Sequence, residues 1–433
     1  MYFFERNEAF ANNIICIDDT GRSYTYGEIW DMGDAAVSQF PERTLKILSC
    51  TNDAESLAEY LALLRKSCPV ILLGRDADAS MVREISETYE GAEELHPDLA
   101  LLLSTSGSTG DRKLVRLSYE NLQSNCDSIV EYLELTAGER PVTTLPMEYT
   151  YGLSIIHSHV AVGATIIMTN YTLFNREFWD LLEKHHVTSL AGVPYTYEML
   201  KRMRLTQMDL PHLKTLTQAG GHLKEEMQRE LASWAAETGR RFFIMYGQTE
   251  ATARMSYIPP SRCLEKIGSI GIPIPGGRIE LAEDGEIIYY GPNVSMGYAT
   301  CRQDLARGDD NRGRLETGDV AYADSEGYLY IKGRKKRFVK IYGKRFSLDK
   351  IQSELQKEYE SNDIVCTGND ESGIRVWTTS TDAAGEPDVI AALFEKKWGI
   401  KEKMVTVSFV NEIPRNASGK VLYKELTEPD NKQ

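Results

Sequence analysis

Ser104-Thr105-Ser106-Gly107-Ser108-Thr109-Gly110-Asp111-Arg112-Lys113 follows directly on the apolar run Leu101-Leu102-Leu103. Glycines let successive backbone N–H groups turn toward one anion, the hydroxyls add short donors, and Lys113 supplies a point charge that can reach a phosphate. The same Ser/Thr/Gly composition suits a flexible linker. Position favours the anion loop: a buried strand feeds it, and an amphipathic helix from Tyr119, carrying Leu122, Cys126, Ile129 and Leu133, follows at once. No Gly-Lys-Ser/Thr closes the segment, and its glycines lack the spacing of the dinucleotide fingerprint.

Outward from this loop, apolar strands alternate with helices: Ala164 to Met168, a helix from Phe174, Val187 to Val193, Thr215 to Gln218, a helix with Met227, Leu231 and Trp234, then Phe242 to Met245. The alternation predicts an α/β fold of layered subdomains with largely parallel strands. After Gly268, frequent Gly, Pro and Asp-Gly turns predict a β-rich, antiparallel section. From Gly333 the basic residues Arg334, Lys335, Lys336, Arg337, Lys340, Lys344 and Arg345 crowd between Val339, Ile341 and Phe346. Such a cluster is usually a solvated face; here the alternation predicts strands with one polar side, and a domain boundary that divides the chain into 1–335 and 336–433.

A chain of 433 residues with 42% hydrophobic content can bury a large core and form more than one domain. The net charge of -15 argues against a general binder of nucleic acid or anionic membrane. No apolar run is long enough for membrane insertion, and the start at Met1-Tyr2-Phe3-Phe4-Glu5-Arg6 lacks a signal peptide's basic region. Seven cysteines stand singly with no C-x-x-C pair, which points to a reducing cytoplasm.

The loop resembles that of the adenylate-forming (AMP-binding) superfamily: acyl- and aryl-CoA synthetases, peptide-synthetase adenylation domains and luciferases. The likeness recurs in the family's order. Tyr246-Gly247-Gln248-Thr249-Glu250 resembles its Tyr-Gly-x-Thr-Glu, Thr317-Gly318-Asp319 its ribose-binding aspartate, Gly333-Arg334 its hinge approach, and Pro414-Arg415-Asn416-Ala417-Ser418-Gly419-Lys420 its catalytic-lysine loop. The resemblance implies a large N-terminal domain and a small, mobile α+β C-terminal domain that rotates about Lys336. It implies ATP bound by Ser104, Thr105, Ser106, Gly107, Ser108, Thr109, Gly110 and Lys113, by Gly220, Gly221 and His222 against adenine, by Tyr246 and Gly247, and by Asp319 and Arg334 at the ribose. Catalysis would fall to Lys420, Thr249 and Glu250, the last holding Mg²⁺, and Gly343 would line the tunnel for the thiol of coenzyme A.

Those residue types suit the chemistry. Attack by a carboxylate on the α-phosphorus of ATP brings anions together, and a metal ion and a lysine neutralise the charge that builds as pyrophosphate leaves. One aspartate can accept from both ribose hydroxyls, and a planar guanidinium can fork onto phosphate or ribose. Outside a motif Glu250 and Asp319 would read as surface carboxylates and Lys420 as a loop lysine; order along the chain overturns that. His157, His159, His185 and His186 have no such support and read as structural, since neighbours at i+1 or i+2 do not share a helical face.

Leu145 to Leu153 resembles the family's acyl-pocket segment, with Tyr149 where amino-acid adenylation domains carry an Asp that pairs with an α-ammonium. Its absence argues against α-amino acids. Tyr149, Tyr151, Val193, Tyr195 and Met245 are the expected pocket, and Glu148 points elsewhere if the segment is a strand, whereas an irregular loop could turn it inward. Departures are Arg112 for proline, Lys335-Lys336 for an acidic hinge pair, His222 in the adenine turn, and an abbreviated stretch between Asp53 and Leu99. The expectation is an ATP- and Mg²⁺-dependent ligase of a small carboxylic acid. Coenzyme A is the expected acceptor, a separate carrier protein the nearest alternative, and a non-catalytic nucleotide-binding protein the alternative from another class.

Overall fold

A computed structural model describes residues 1–104, 113–359, 361, 363–379, 387–415, 421–423 and 425–426. The chain divides into two compact units, Met1–Ile279 with Tyr289–Leu315, and Glu280–Ile288 with Glu316–Gln433. The boundary expected between residues 335 and 336 falls inside the second of these units.

In the first unit, nine described strands form one sheet in the order Ile272–Pro273, Ser256–Ile258, Arg241–Tyr246, Thr215–Gln218, Ser189–Gly192, Pro141–Val142, Ile166–Ile167, Ile14–Ile17 and Ser23–Thr25. Its middle is parallel and its margins antiparallel. A second sheet runs Tyr298–Ala299, Leu114–Ser118, Leu99–Ser104, Val70–Gly74 and Lys46–Cys50. Helices lie between these strands in sequence, as the alternation predicts. Thr25 and Glu28 form a reciprocal cap that starts the helix Tyr26–Ala36, and Ser118 with Asn121 does the same for Tyr119–Leu133. The stretch between Asp53 and Leu99 folds as helix Ala54–Arg65, strand Val70–Gly74 and helix Ala79–Tyr89.

One expectation fails at the opening loop. The loop does not pass straight into a helix: Leu114–Ser118 is a strand, antiparallel to Leu99–Ser104 with Leu114 opposite Ser104. All five of its residues are buried. Arg116 in its middle reads as polar, yet its guanidinium is fully buried and donates to the Met296 and Gly308 carbonyls and to Asp310. Removing that side chain would strand buried acceptors, at about 1–3 kcal/mol each.

The second unit holds most of the sheet Arg278–Leu281, Glu286–Tyr290, Arg314–Ala323 and Leu329–Arg334. The 3-10 turn Lys335–Arg337 leads from it to the hairpin Phe338–Ile341 with Lys344–Ser347. A three-stranded sheet of Ile364–Asn369, Gly373–Thr378 and Val405–Phe409 follows, with helices Leu348–Glu358 and Pro387–Trp398. Val339, Ile351, Leu355, Val376, Ile390 and Phe394 form its core. This is the expected β-rich section and α+β C-terminal region.

Candidate functional site

The parallel strands of the large sheet end at the expected motif. Strand Arg241–Tyr246 runs into Gly247, where a Cβ would lie 1.9 Å from the Ala253 carbonyl oxygen, so no other residue fits. The 3-10 turn Thr249–Ala251 follows. Thr150 at the start of helix Thr150–Ala161 donates to the Thr249 hydroxyl at 3.0 Å, which ties the acyl-pocket segment to the motif. Glu250 accepts from the Tyr298 hydroxyl at 2.7 Å. Lys113 completes the group, its Nζ 5.1 Å from the centre of the Tyr298 ring. Burial, and then the neighbouring Glu250 charge, push the Tyr298 phenol up, so it stays a neutral donor.

Four of the five expected pocket residues come together. Tyr149, Tyr151, Val193 and Met245 lie in one apolar cluster with Tyr132, Ala191, Ala219 and Phe243. Tyr195 does not join it: the side chain is half-exposed on helix Pro194–Arg202. Gly220 closes the cluster, with φ +84°, and a Cβ there would lie 2.6 Å from the Tyr149 hydroxyl. The Gln218 amide donates to the Ala219 and Gly221 carbonyls and so pins the glycine turn, on which His222 is exposed. Glu148 sits in a turn, not a strand, and its carboxylate packs toward Gly74 rather than into the cluster. Burial first, and then the Asp76 charge, raise its pKa.

Within the second unit, Asp319 and Arg334 are opposed in adjacent strands, with Nε and Oδ1 3.3 Å apart. Lys335 is engaged by Asp284 at 2.8 Å and Glu286 at 2.7 Å, while Lys336 beside it is exposed in the connecting turn. Gly343, φ +77°, lies at the tip of the hairpin. Ser104 ends its strand, whereas Thr105, Ser106, Gly107, Ser108, Thr109, Gly110 and Lys420 lie outside the described residues. Strand pairing of Arg415 with Val421 brackets the lysine loop.

Sequence reading missed Thr150, Tyr298 and Arg254. Nothing local to Tyr298 says that it meets a residue 48 positions earlier. Arg254 lies beyond the Tyr-Gly-x-Thr-Glu segment and reads as a surface cation, yet it is buried with its guanidinium 4.0 Å from the Tyr151 ring centre.

The glutamate fits Mg²⁺ in kind. Its oxygens are hard donors, and the described residues contain no group of three or more His, Cys, Asp or Glu that could hold a metal ion. Mg²⁺ typically takes one or two carboxylates and completes its shell with water and phosphate.

The AMP-binding enzyme family matches residues 42–299. The chain is 28% identical over 336 residues to the 2-succinylbenzoate–CoA ligase of Bacillus pumilus, covering 74% of this chain and 67% of that protein. It is 27% identical over 347 residues to a feruloyl-CoA synthase of Amycolatopsis, covering 76% and 69%. The o-succinylbenzoate CoA synthetase of Bacillus subtilis, solved with an acyl-adenylate intermediate, shares the fold at TM-score 0.80 and 20% identity, covering 99% of this chain and 98% of that one.

Proposed function

We propose that the chain, which belongs to the AMP-binding enzyme family, activates a small carboxylic acid with ATP and passes the acyl group to the thiol of coenzyme A. In the first half-reaction a carboxylate oxygen bonds to the α-phosphorus and the bond to pyrophosphate breaks. In the second, the thiol sulfur bonds to the acyl carbon, AMP leaves and the thiol proton is released. The observation that carries this reading is the joining of Lys113, Tyr298 and Glu250 on one side with Thr249, Thr150 and Tyr149 on the other. It supports phosphate binding and acid binding by contiguous groups.

Glu250 would hold Mg²⁺, which when bound offsets charge on the phosphates. Tyr298 orients that carboxylate through its hydroxyl. Thr249, oriented by Thr150, is a short donor for phosphate, and Lys113 and Lys420 add cationic charge, whose attraction grows as negative charge builds in the transition state. Asp319, buried and paired with Arg334, suits the ribose hydroxyls. Lys336 is the proposed hinge. Named relatives include a 2-succinylbenzoate–CoA ligase and a feruloyl-CoA synthase, which supports coenzyme A over a carrier protein as the acceptor. Six of the seven cysteines are buried free thiols, which supports a reducing cytoplasm, and no described helix is long and apolar enough to cross a membrane.

The test is ATP–pyrophosphate exchange over a panel of acids, followed by product analysis with coenzyme A. Exchange without thioester would move the acceptor to a carrier protein. No exchange with any acid would leave a nucleotide-binding protein without this activity.

A further inference from the structure

Among the described residues of the first unit two arginines are fully buried, and they differ. Every strong donor direction of Arg116 meets a carbonyl or Asp310. Arg254, 1% exposed, leaves Nε and Nη1 without a hydrogen-bond partner, and no carboxylate lies within ion-pair distance of it among the described residues. A buried cation with no carboxylate in direct contact is costly for a fold to hold. The Tyr151 ring at 4.0 Å offsets part of that charge and gives no acceptor in its plane.

The residue is held in place by design of the backbone. Thr252 and Ala253, φ 51° and 88°, are consecutive left-handed residues without being glycine. The Asn125 and Asn293 amides both donate to the Arg254 carbonyl, at 3.0 and 2.9 Å, and hold that conformation. Its guanidinium lines a cavity of about 20 Å³ with Ala191, Thr217, Ile155, His159 and Glu139, whose carboxylate is held by the Thr188 hydroxyl at 2.7 Å. Thr217 and Ala191 are register partners in parallel strands, and two residues further on come Ala219 and Val193 of the pocket cluster. The cavity is therefore the inner end of the acyl pocket, roughly 7 Å deeper along the strands.

We propose that Arg254 is the specificity residue of that pocket and receives a second anionic group, so that the acid activated is a dicarboxylic acid, with one carboxylate adenylated and the other paired with the guanidinium. This deepens the ligase reading and rests on it. A single water in the cavity would supply a hydrogen bond but no charge, and the opening of the cavity by a longer ligand would replace it.

The test uses the full chain and matched pairs of acids: succinate with butanoate, glutarate with pentanoate, adipate with hexanoate. At one length at least, the diacid should exceed its partner in kcat/KM for pyrophosphate exchange by about 100-fold or more, as sites built around a polar partner discriminate. Arg254→Met should erase that preference mainly through KM, and Arg254→Lys should restore part of it. Monoacids matching or beating their diacids in wild type at every length would overturn the inference whether or not the variants fold. A diacid preference retained in Arg254→Met would overturn it too. If no acid supports exchange, the ligase reading fails separately, and thermal melts decide the subsite: diacids should raise Tm in wild type and not in Arg254→Met, and an absence of any rise in wild type would overturn it.

Discussion

At Glu250 the carboxylate carries one defined bond, from Tyr298, and its charge is what the chemistry needs. Glu250→Gln keeps the acceptor oxygen and the volume, so the fold should persist while adenylation falls by about 10²–10³-fold, the loss seen when one transition-state group is removed. Exchange measured across a Mg²⁺ titration checks this, and a wild-type rate at saturating Mg²⁺ would remove Glu250 from the assignment. Tyr149 is a matter of shape: its hydroxyl occupies the space left by the missing Cβ of Gly220. Tyr149→Ala should open room for bulkier acids, each added methylene contributing about 0.8 kcal/mol on burial. The ranking of kcat/KM over acids of graded size would shift accordingly, and an unchanged ranking would turn Tyr149 away from the substrate. Residues of this kind were readable where the backbone admits one amino acid, as at Gly247 and Gly220. Tyr298 and Arg254 were not, because their importance arises from partners that only the folded chain supplies.

The helix Thr150–Ala161 couples site and core. Its first residue contacts Thr249, while His157 shares a hydrogen bond with the Tyr60 hydroxyl at 2.8 Å and stacks on Phe3. Burial holds His157 down to about 3 and His159 down to about 4, against an ordinary value of 6.5. A base whose folded pKa is depressed binds its proton more readily when unfolded, so stability is full above about pH 6.5 and is lost as pH falls toward the folded values. Within that window each histidine costs up to about 1.4 kcal/mol per pH unit. Denaturant titrations from pH 7 to 4 should show this slope, and His157→Gln should flatten it by up to one proton; an unaltered slope would mean His157 is not buried neutral. The elements themselves were legible where burial is continuous, as in Thr215–Gln218, which spans the expected residues. The expected strand from Val187 to Val193 narrows to Ser189–Gly192 because Pro194 already opens a helix. Leu114–Ser118 was hidden by Arg116, whose partners lie 180 to 194 positions away.

For the whole chain, the order of α/β alternation, β-rich section and α+β region could be read along the sequence, but the make-up of the compact units could not. Glu280–Ile288 belongs with residues beyond 316, and a unit that takes two separate pieces of chain leaves no linear change of composition at its edges. The second unit carries both Gly343 and the paired ends of the Lys420 loop, and the proposed reaction gives these opposite duties. Lys420 would stabilise charge as pyrophosphate leaves, and nothing in thiol attack on a finished acyl-adenylate would need it. Among the described residues Gly343 has no neighbour within 4 Å of a Cβ, so a first side-chain carbon there meets no packed atom, and added bulk would act on an approaching acceptor. Lys420→Ala should therefore abolish pyrophosphate exchange yet still convert supplied acyl-adenylate and coenzyme A to thioester, and Gly343→Leu should do the reverse. Any side chain at φ +77° costs about 1–2 kcal/mol of backbone strain, so Gly343→Ala is the control that carries the strain without the bulk. If Gly343→Ala loses thioester formation as fully as Gly343→Leu, backbone strain rather than obstruction is the cause. If Lys420→Ala slows thioester formation from the preformed adenylate as much as it slows exchange, the division of labour between the two half-reactions does not hold for this chain.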